Sequence, residues 1–258
     1  MGKIIAFSNQ KGGVGKTTTC VNLSAYLALM GKRVLIVDMD PQGNATSGLG
    51  VDKSTDTMTI YNIIDGEVSP IDVVKKTCVK GLDIIPSTVD LAGAEIDLVQ
   101  MNNRESVVKN ILSELKSSYD FITIDCPPSL GLLTVNALTA ADSIIIPIQC
   151  EFFALEGLSQ LMNTIRLVKK HLNPDIDVEG VVLTMKDARS NLINQVSAEI
   201  HKYFGNKVFS TFIPRNIRLA EAPSHGLPIE LYDKRSSGAA AYRKLADEVL
   251  KRAKGDNK

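Results

Sequence analysis

The chain has 258 residues, 44% of them hydrophobic, enough to bury the core of one large α/β domain. That apolar content argues against a disordered chain, and because the 29 basic and 29 acidic residues cancel, no chain-wide attraction to polyanions or acidic membranes is expected. The halves differ, with residues 1–150 summing to −4 and residues 151–258 to +4, so any clustered basic surface is expected in the second half.

In chain order, the first apolar run is "KIIAFS" (3–8), followed by "NQKGGVGKTTT" and a helical stretch over 16–30. "RVLIVDMD" (33–40), "LDIIPS" (82–87), "FITIDCPP" (121–128), "SIIIPIQC" (143–150), "VEGVVLTM" (178–185) and "VFSTFIP" (208–214) read as further strands. Most are continuously apolar rather than alternating, which fits strands covered on both faces. Helices are expected over 104–118, 130–141, 154–172, 191–204 and 236–254. This rhythm predicts a doubly wound, mostly parallel sheet with helices on both faces, forming one domain over 1–258. Such sheets bind ligands beyond the carboxyl ends of their strands.

The segment after the first strand nearly matches the phosphate-binding pattern G-x-x-x-x-G-K-[ST], with Gln10 where the first glycine belongs and an extra lysine, Lys11, beside it. Gly12, Gly13 and Gly15 let the backbone, Val14 included, aim its N–H groups at phosphate oxygens, and the helix opening at Lys16 adds its dipole. Lys16 supplies a charge to the β- and γ-phosphates, Thr17 a hydroxyl for Mg²⁺, and Thr18 a further hydrogen bond. Asp38 and Asp40 end the second strand two residues apart and so share a face. Asp125 ends the "FITI" strand in the position of a carboxylate that holds Mg²⁺, directly or through water. The pattern predicts a nucleotide site with Mg²⁺, and the fold class is a P-loop NTPase.

Other signals are sparse. Cys20, Cys126 and Cys150 lie in apolar surroundings and read as buried free thiols, while His171, His201 and His225 are isolated, so zinc is not indicated. No basic-then-apolar leader and no run of about 18 apolar residues is seen, which points to a cytoplasmic protein.

"KGGVGKT" resembles the deviant Walker A box of the ParA/MinD family of ATPases. "VDMDPQGNATSGLG" (37–50), "IDCPPSLGLLTVNAL" (124–138), "QCEFFALEGLSQL" (149–161), "LTMKDARSN" (183–191) and "FIPRNIRLAEAPSHGLPI" (212–229) extend the likeness to small Soj-type partitioning proteins. The resemblance implies that Lys11 crosses a homodimer interface to the partner's nucleotide in the ATP state, and that Asp40 positions the attacking water. It also implies that Pro214 and Asn216, with Met185 nearby, lie against the adenine. It further implies non-specific binding to double-stranded DNA through Arg189 and Arg218, nucleoid association, and a ParB/Spo0J-type partner that stimulates slow hydrolysis. Lys186, Lys234, Arg235, Lys251 and Arg252 are weaker candidates for the DNA face.

Two alternatives stay open. One is a MinD-like, membrane-associated ATPase. It depends on the C-terminal amphipathic pattern of Tyr242, Leu245, Ala246, Val249, Leu250 and Ala253. That face is modest and runs into "KGDNK", so docking on the protein's own sheet is the better account and no membrane is expected. The other is a metabolic P-loop enzyme. Cys126 and Cys150 do not resemble the cluster-bridging pair of nitrogenase-reductase relatives, and no acceptor-binding lid is visible.

Overall fold

The computed structural model describes residues 2–54, 57–151, 154–186 and 191–255. In chain order its elements are β1 (Lys3–Phe7), α1 (Lys16–Leu29), β2 (Val34–Asp38), α2 (Asn44–Gly48), α3 (Ile60–Ile64), α4 (Pro70–Val73), β3 (Lys75–Lys76), β4 (Leu82–Ile85), α5 (Leu91–Gln100), α6 (Val107–Leu115), β5 (Phe121–Asp125), α7 (Leu132–Ala140), β6 (Ser143–Gln149), α8 (Ala154–His171), β7 (Asp177–Thr184), α9 (Asn191–Phe204), α10 (Ile217–Glu221), α11 (Ile229–Asp233) and α12 (Ser237–Gly255).

The strands lie in the order β3-β4-β2-β5-β1-β6-β7. All pairs are parallel except β3 with β4, which adds a two-residue antiparallel edge. Side chains alternate across each strand, and both faces are covered. Ile4 and Ala6 of β1 join a core with α3 and α5 to α9, whereas Ile5 and Phe7 join a second core with α1, α10, α11 and α12. This explains the continuous apolar runs, because every β1 residue from Ile4 to Phe7 is buried. Each fully buried Ile or Leu contributes about 1.5–3 kcal/mol.

The second core also holds the apolar face of the C-terminal helix. Tyr242, Leu245, Ala246 and Val249 are all nearly inaccessible, and the Tyr242 hydroxyl meets Thr19 Oγ1 of α1 at 3.2 Å. That face is engaged inside the protein, as its modest apolarity suggested. Among the described residues, no helix is long and apolar enough to cross a membrane. Cys20, Cys126 and Cys150 are buried free thiols, and Cys78 is exposed.

The expected strand over 208–214 is corrected. This segment forms no strand: it meets the sheet edge in isolated bridges, Val208 with Val181 and Pro214 with Lys186, and through the Phe209 and Ile213 N–H groups, which bond the Val181 and Leu183 carbonyls. Between them the Ser210 and Thr211 N–H groups bond the Glu248 carboxylate of α12 rather than a strand, so the segment bows away from β7. The short helices α2 to α4 escaped sequence reading because four or five residues cannot display a 3.6-residue period.

Candidate functional site

The parallel strands place the ends of β1, β2 and β5 side by side, with Phe7 and Asp38 both in register with Asp125. The phosphate loop leaves β1 there and runs directly into α1. Gly13 has φ +74° and Gly15 φ +84°, left-handed values that an L side chain rarely adopts. Gly15 caps α1, whose first turn carries no side-chain cap and no acidic residue, so its N–H groups open toward the cleft.

Val14 contributes only backbone, since its side chain is buried and its carbonyl accepts from Thr184 Oγ1 at 2.8 Å. That bond fastens the loop to the end of β7. Asn9 makes a second fastening: its Nδ2 donates to Pro147 O at 2.8 Å, and its Oδ1 accepts from the Lys11 N–H at 3.0 Å.

The two lysines of the loop differ in placement. Lys16 is 6% exposed, lines the cleft and donates to the Lys11 carbonyl at 3.1 Å. Burial lowers its pKa, while Asp125, Cys126 and Asp40 oppose the shift. Lys11 keeps 34% of its side chain exposed, and its ammonium pairs with Glu151 just beyond β6.

Asp40 lines the cleft and is 6% exposed; its Oδ1 accepts from the Gln42 N–H at 3.0 Å. Asp125 is fully buried. Neither of its carboxylate oxygens has a hydrogen-bond partner among the described residues. Burial first, then the Asp38 charge, raises its pKa well above the usual carboxylate range; the Thr17 hydroxyl pulls the other way without reaching hydrogen-bond geometry. A buried carboxylate without donors is costly unless a cation balances it. Asp125 and Thr17 together therefore fit a hard, oxygen-seeking divalent ion such as Mg²⁺.

A cleft of 590 Å³ joins Gly12, Gly13, Gly15, Lys16, Thr17 and Thr18 to Asp40 and Pro128, and continues over Gln42, Asn44 and Ser47, which sequence reasoning missed. A more apolar pocket of 410 Å³ adjoins it, sharing Gly15, Thr18 and Met185. Pro214 and Asn216 line this second pocket with Arg215 and Ile217, across from Gly15 and Thr18 of the phosphate loop. Asn216 also caps α10, accepting from the Arg218 N–H at 2.8 Å.

The basic candidates separate. Arg189 lies outside the described residues. Lys186 stands 5.1 Å from the Phe212 ring centroid; Arg218, Lys234 and Arg235 are exposed near the first turn of α12, where Asn216 bonds Ser237. Arg218 is paired with Glu221 and Asp233. Lys251 and Arg252 occupy the other end of α12, about 20 Å along a helix rising 1.5 Å per residue. Arg252 is corrected from candidate contact to structural pin. Its guanidinium donates to the carbonyls of Glu179, Lys207, Asn206 and Val208 and stacks 4.0 Å from the Phe209 ring centroid.

A parallel sheet with a glycine-rich loop between β1 and α1, a loop lysine in the cleft and carboxylates on the neighbouring strand ends defines an α/β P-loop NTPase. A family model described as an AAA domain matches residues 2–178. The chain is 63% identical over 249 residues to the sporulation initiation inhibitor protein Soj of Bacillus subtilis, covering 96% of this chain and 98% of that one. It is 51% identical to the chromosome-partitioning ATPase Soj of Treponema pallidum, covering 98% of each. Among solved structures, a cobyrinic acid a,c-diamide synthase from Mycobacterium smegmatis with bound ADP and magnesium superposes with a TM-score of 0.87 at 37% identity, covering 99% of this chain and 97% of that one. The chain belongs to the Soj/ParA family of chromosome-partitioning ATPases.

Proposed function

We propose that this chain hydrolyses Mg²⁺-ATP to ADP and phosphate, and that its ATP-bound form is a two-fold dimer that binds duplex DNA without sequence preference and releases it after hydrolysis. The observation that carries the reading is the unequal use of the two loop lysines: Lys16 fills the phosphate cleft, and Lys11 stands outside it, paired with Glu151. A cleft already supplied with its own cation has no local need of the second, whereas two nucleotides facing each other across a two-fold axis need added positive charge.

Each residue has a role in this scheme. The loop N–H groups and Lys16 hold the β- and γ-phosphates, and Pro214 and Asn216 bound the base. Thr17 and Asp125, the latter directly or through water, hold Mg²⁺, which when bound supplies charge to the phosphate oxygens. Asp40 orients the attacking water. Lys11 breaks its pair with Glu151 and reaches the partner's phosphates, adding charge where it develops in the transition state. Hydrolysis is slow until a ParB-type partner stimulates it.

Dimerisation doubles the number of basic residues that one face offers to a phosphate backbone. Arg218, Arg189, Lys186, Lys234 and Arg235 are the residues proposed to make those contacts, and the resulting affinity falls steeply with salt. The membrane-associated alternative is disfavoured because the apolar face of α12 is buried against α1 and the sheet.

The test is binding of random-sequence duplex DNA at two salt concentrations, with ATP and with ADP. Salt-sensitive binding in ATP alone is expected, abolished by Lys11→Ala and weakened by Arg218→Ala. Equal binding with ADP, or an unchanged ATP dimer of Lys11→Ala in analytical ultracentrifugation, overturns the proposal.

A further inference from the structure

Asp38 ends β2 fully buried, yet it does not line the nucleotide cleft. Its carboxylate instead closes a loop. Oδ1 accepts from the Asp40 N–H at 3.2 Å, and Oδ2 accepts from both the N–H and the hydroxyl of Thr46, at 2.9 and 2.7 Å. One side chain thus fastens both ends of the segment from Asp40 to Thr46.

The Thr46 hydroxyl carries the connection outward. While donating to Asp38 it accepts from the Ser87 N–H at 3.0 Å, beyond the end of β4. The same peptide region meets the loop a second time. Gly43 has φ +60°, and a Cβ placed there would stand 2.5 Å from the Ser87 carbonyl oxygen. The loop therefore rests on Ser87 at two points, through the Gly43 backbone and through the Thr46 hydroxyl, and only glycine fits the first.

Asp40 folds back inside this frame. Its carbonyl accepts from the Gly43 N–H at 2.8 Å, and its Oδ1 accepts from the Gln42 N–H. Its direction is set by the loop, and the loop is set by Asp38 and Ser87. Burying a carboxylate costs several kcal/mol unless donors compensate it. Three donors from one loop provide that compensation, and they do so by holding the loop in one shape.

We propose that Asp38 and Thr46 are positioning residues for ATP hydrolysis: with the Ser87 backbone they form the mount that holds Asp40 in its working direction. This rests on the reading of Asp40 as the group that orients the attacking water. Displacing such a group by about 1 Å costs about 100-fold in rate, whereas the phosphate loop and Lys16, fastened separately through Asn9 and Thr184, keep their hold on the nucleotide.

The experiment compares Thr46→Val, Thr46→Ser and Asp40→Ala in the full chain. It measures kcat and KM for Mg²⁺-ATP, the affinity for a fluorescent ATP analogue, and the melting temperature. Thr46→Val is expected to lower kcat about 10- to 100-fold while the analogue binds within about threefold of wild type and melting stays cooperative. Thr46→Ser, which keeps the hydroxyl, is expected to restore most of kcat. A Thr46→Val protein with unchanged kcat overturns the mount, as does one that loses analogue affinity and cooperative melting along with kcat. Asp40→Ala separates the two ideas. If it is inactive while Thr46→Val is not, the reading of Asp40 stands and the mount fails. If it keeps its kcat, the reading of Asp40 falls and the mount with it.

Discussion

Asp38 and Asp125 are register partners on neighbouring strands, both fully buried at the same edge of the sheet, and their surroundings are opposite. Asp38 accepts three hydrogen bonds from one loop, whereas Asp125 accepts none from the described residues. Burial alone therefore does not say what a strand-end carboxylate does. One whose lone pairs are filled by backbone and hydroxyl donors is part of the framework. One left with empty lone pairs beside Thr17 is prepared for a cation. The two loop lysines repeat the contrast, with Lys16 inside the cleft and Lys11 held outside it by Glu151.

Substituting each carboxylate by its amide tests the contrast most strongly. Asp125→Asn is expected to weaken Mg²⁺-dependent ATP binding about 100-fold, read by titration with and without the metal. The nucleotide-free chain should melt no lower than wild type, because the Asp125 carboxyl holds no hydrogen bond among the described residues for the change to break. Equal Mg²⁺ dependence in mutant and wild type would assign the ion to other groups.

Asp38→Asn should do the reverse. An amide turns donors toward donors, and the expected loss is about 3 kcal/mol of unfolding free energy, measured in urea, with Mg²⁺ dependence retained. A pH effect accompanies it. Burial, opposed by the Thr46 and Asp40 hydrogen bonds, pushes the Asp38 pKa up to about 6. Between about pH 4 and pH 6 the folded chain keeps a proton there that the unfolded chain has released. Stability of the nucleotide-free protein therefore falls as pH rises through that window. Asp38→Asn removes that contribution to the slope, and melting temperatures at pH 4.5 and pH 6.5 would show whether it does.

The smallest effect is expected at the lysines. Glu151→Gln removes the partner that keeps Lys11 on its own chain. Because the pair is more than a third exposed on both sides, ATP-dependent dimerisation should tighten only about threefold. Weaker dimerisation in sedimentation would mean that Glu151 assists the paired state.

Much of this was legible without coordinates. Continuous apolar runs signalled a sheet covered on both sides, and a loop with three glycines ahead of Lys16 and Thr17 could serve few purposes other than phosphate binding. Asp38, Asp40 and Asp125 drew attention as carboxylates at or just past strand ends, and the role expected of Asp40 came only from the family resemblance. The segment over 208–214 misled because its apolar content serves packing of Phe209 and Ile213, while its middle N–H groups turn to Glu248. Arg252 misled because charge in a sequence does not reveal that four carbonyls already surround it.

The sequence by itself determined the strand–helix alternation and the phosphate loop, because backbone freedom at glycine and the period of apolar residues are local properties. Only the tertiary structure decided which groups meet across long separations: Glu151 with Lys11, Thr184 with Val14, and Ser87 with Thr46. Those contacts arise from the order in which strands pair and the ends to which their loops are delivered. The chemical roles of Asp38 and Asp125 diverge there, since a carboxylate's partners are chosen by the sheet and not by its neighbours in the chain.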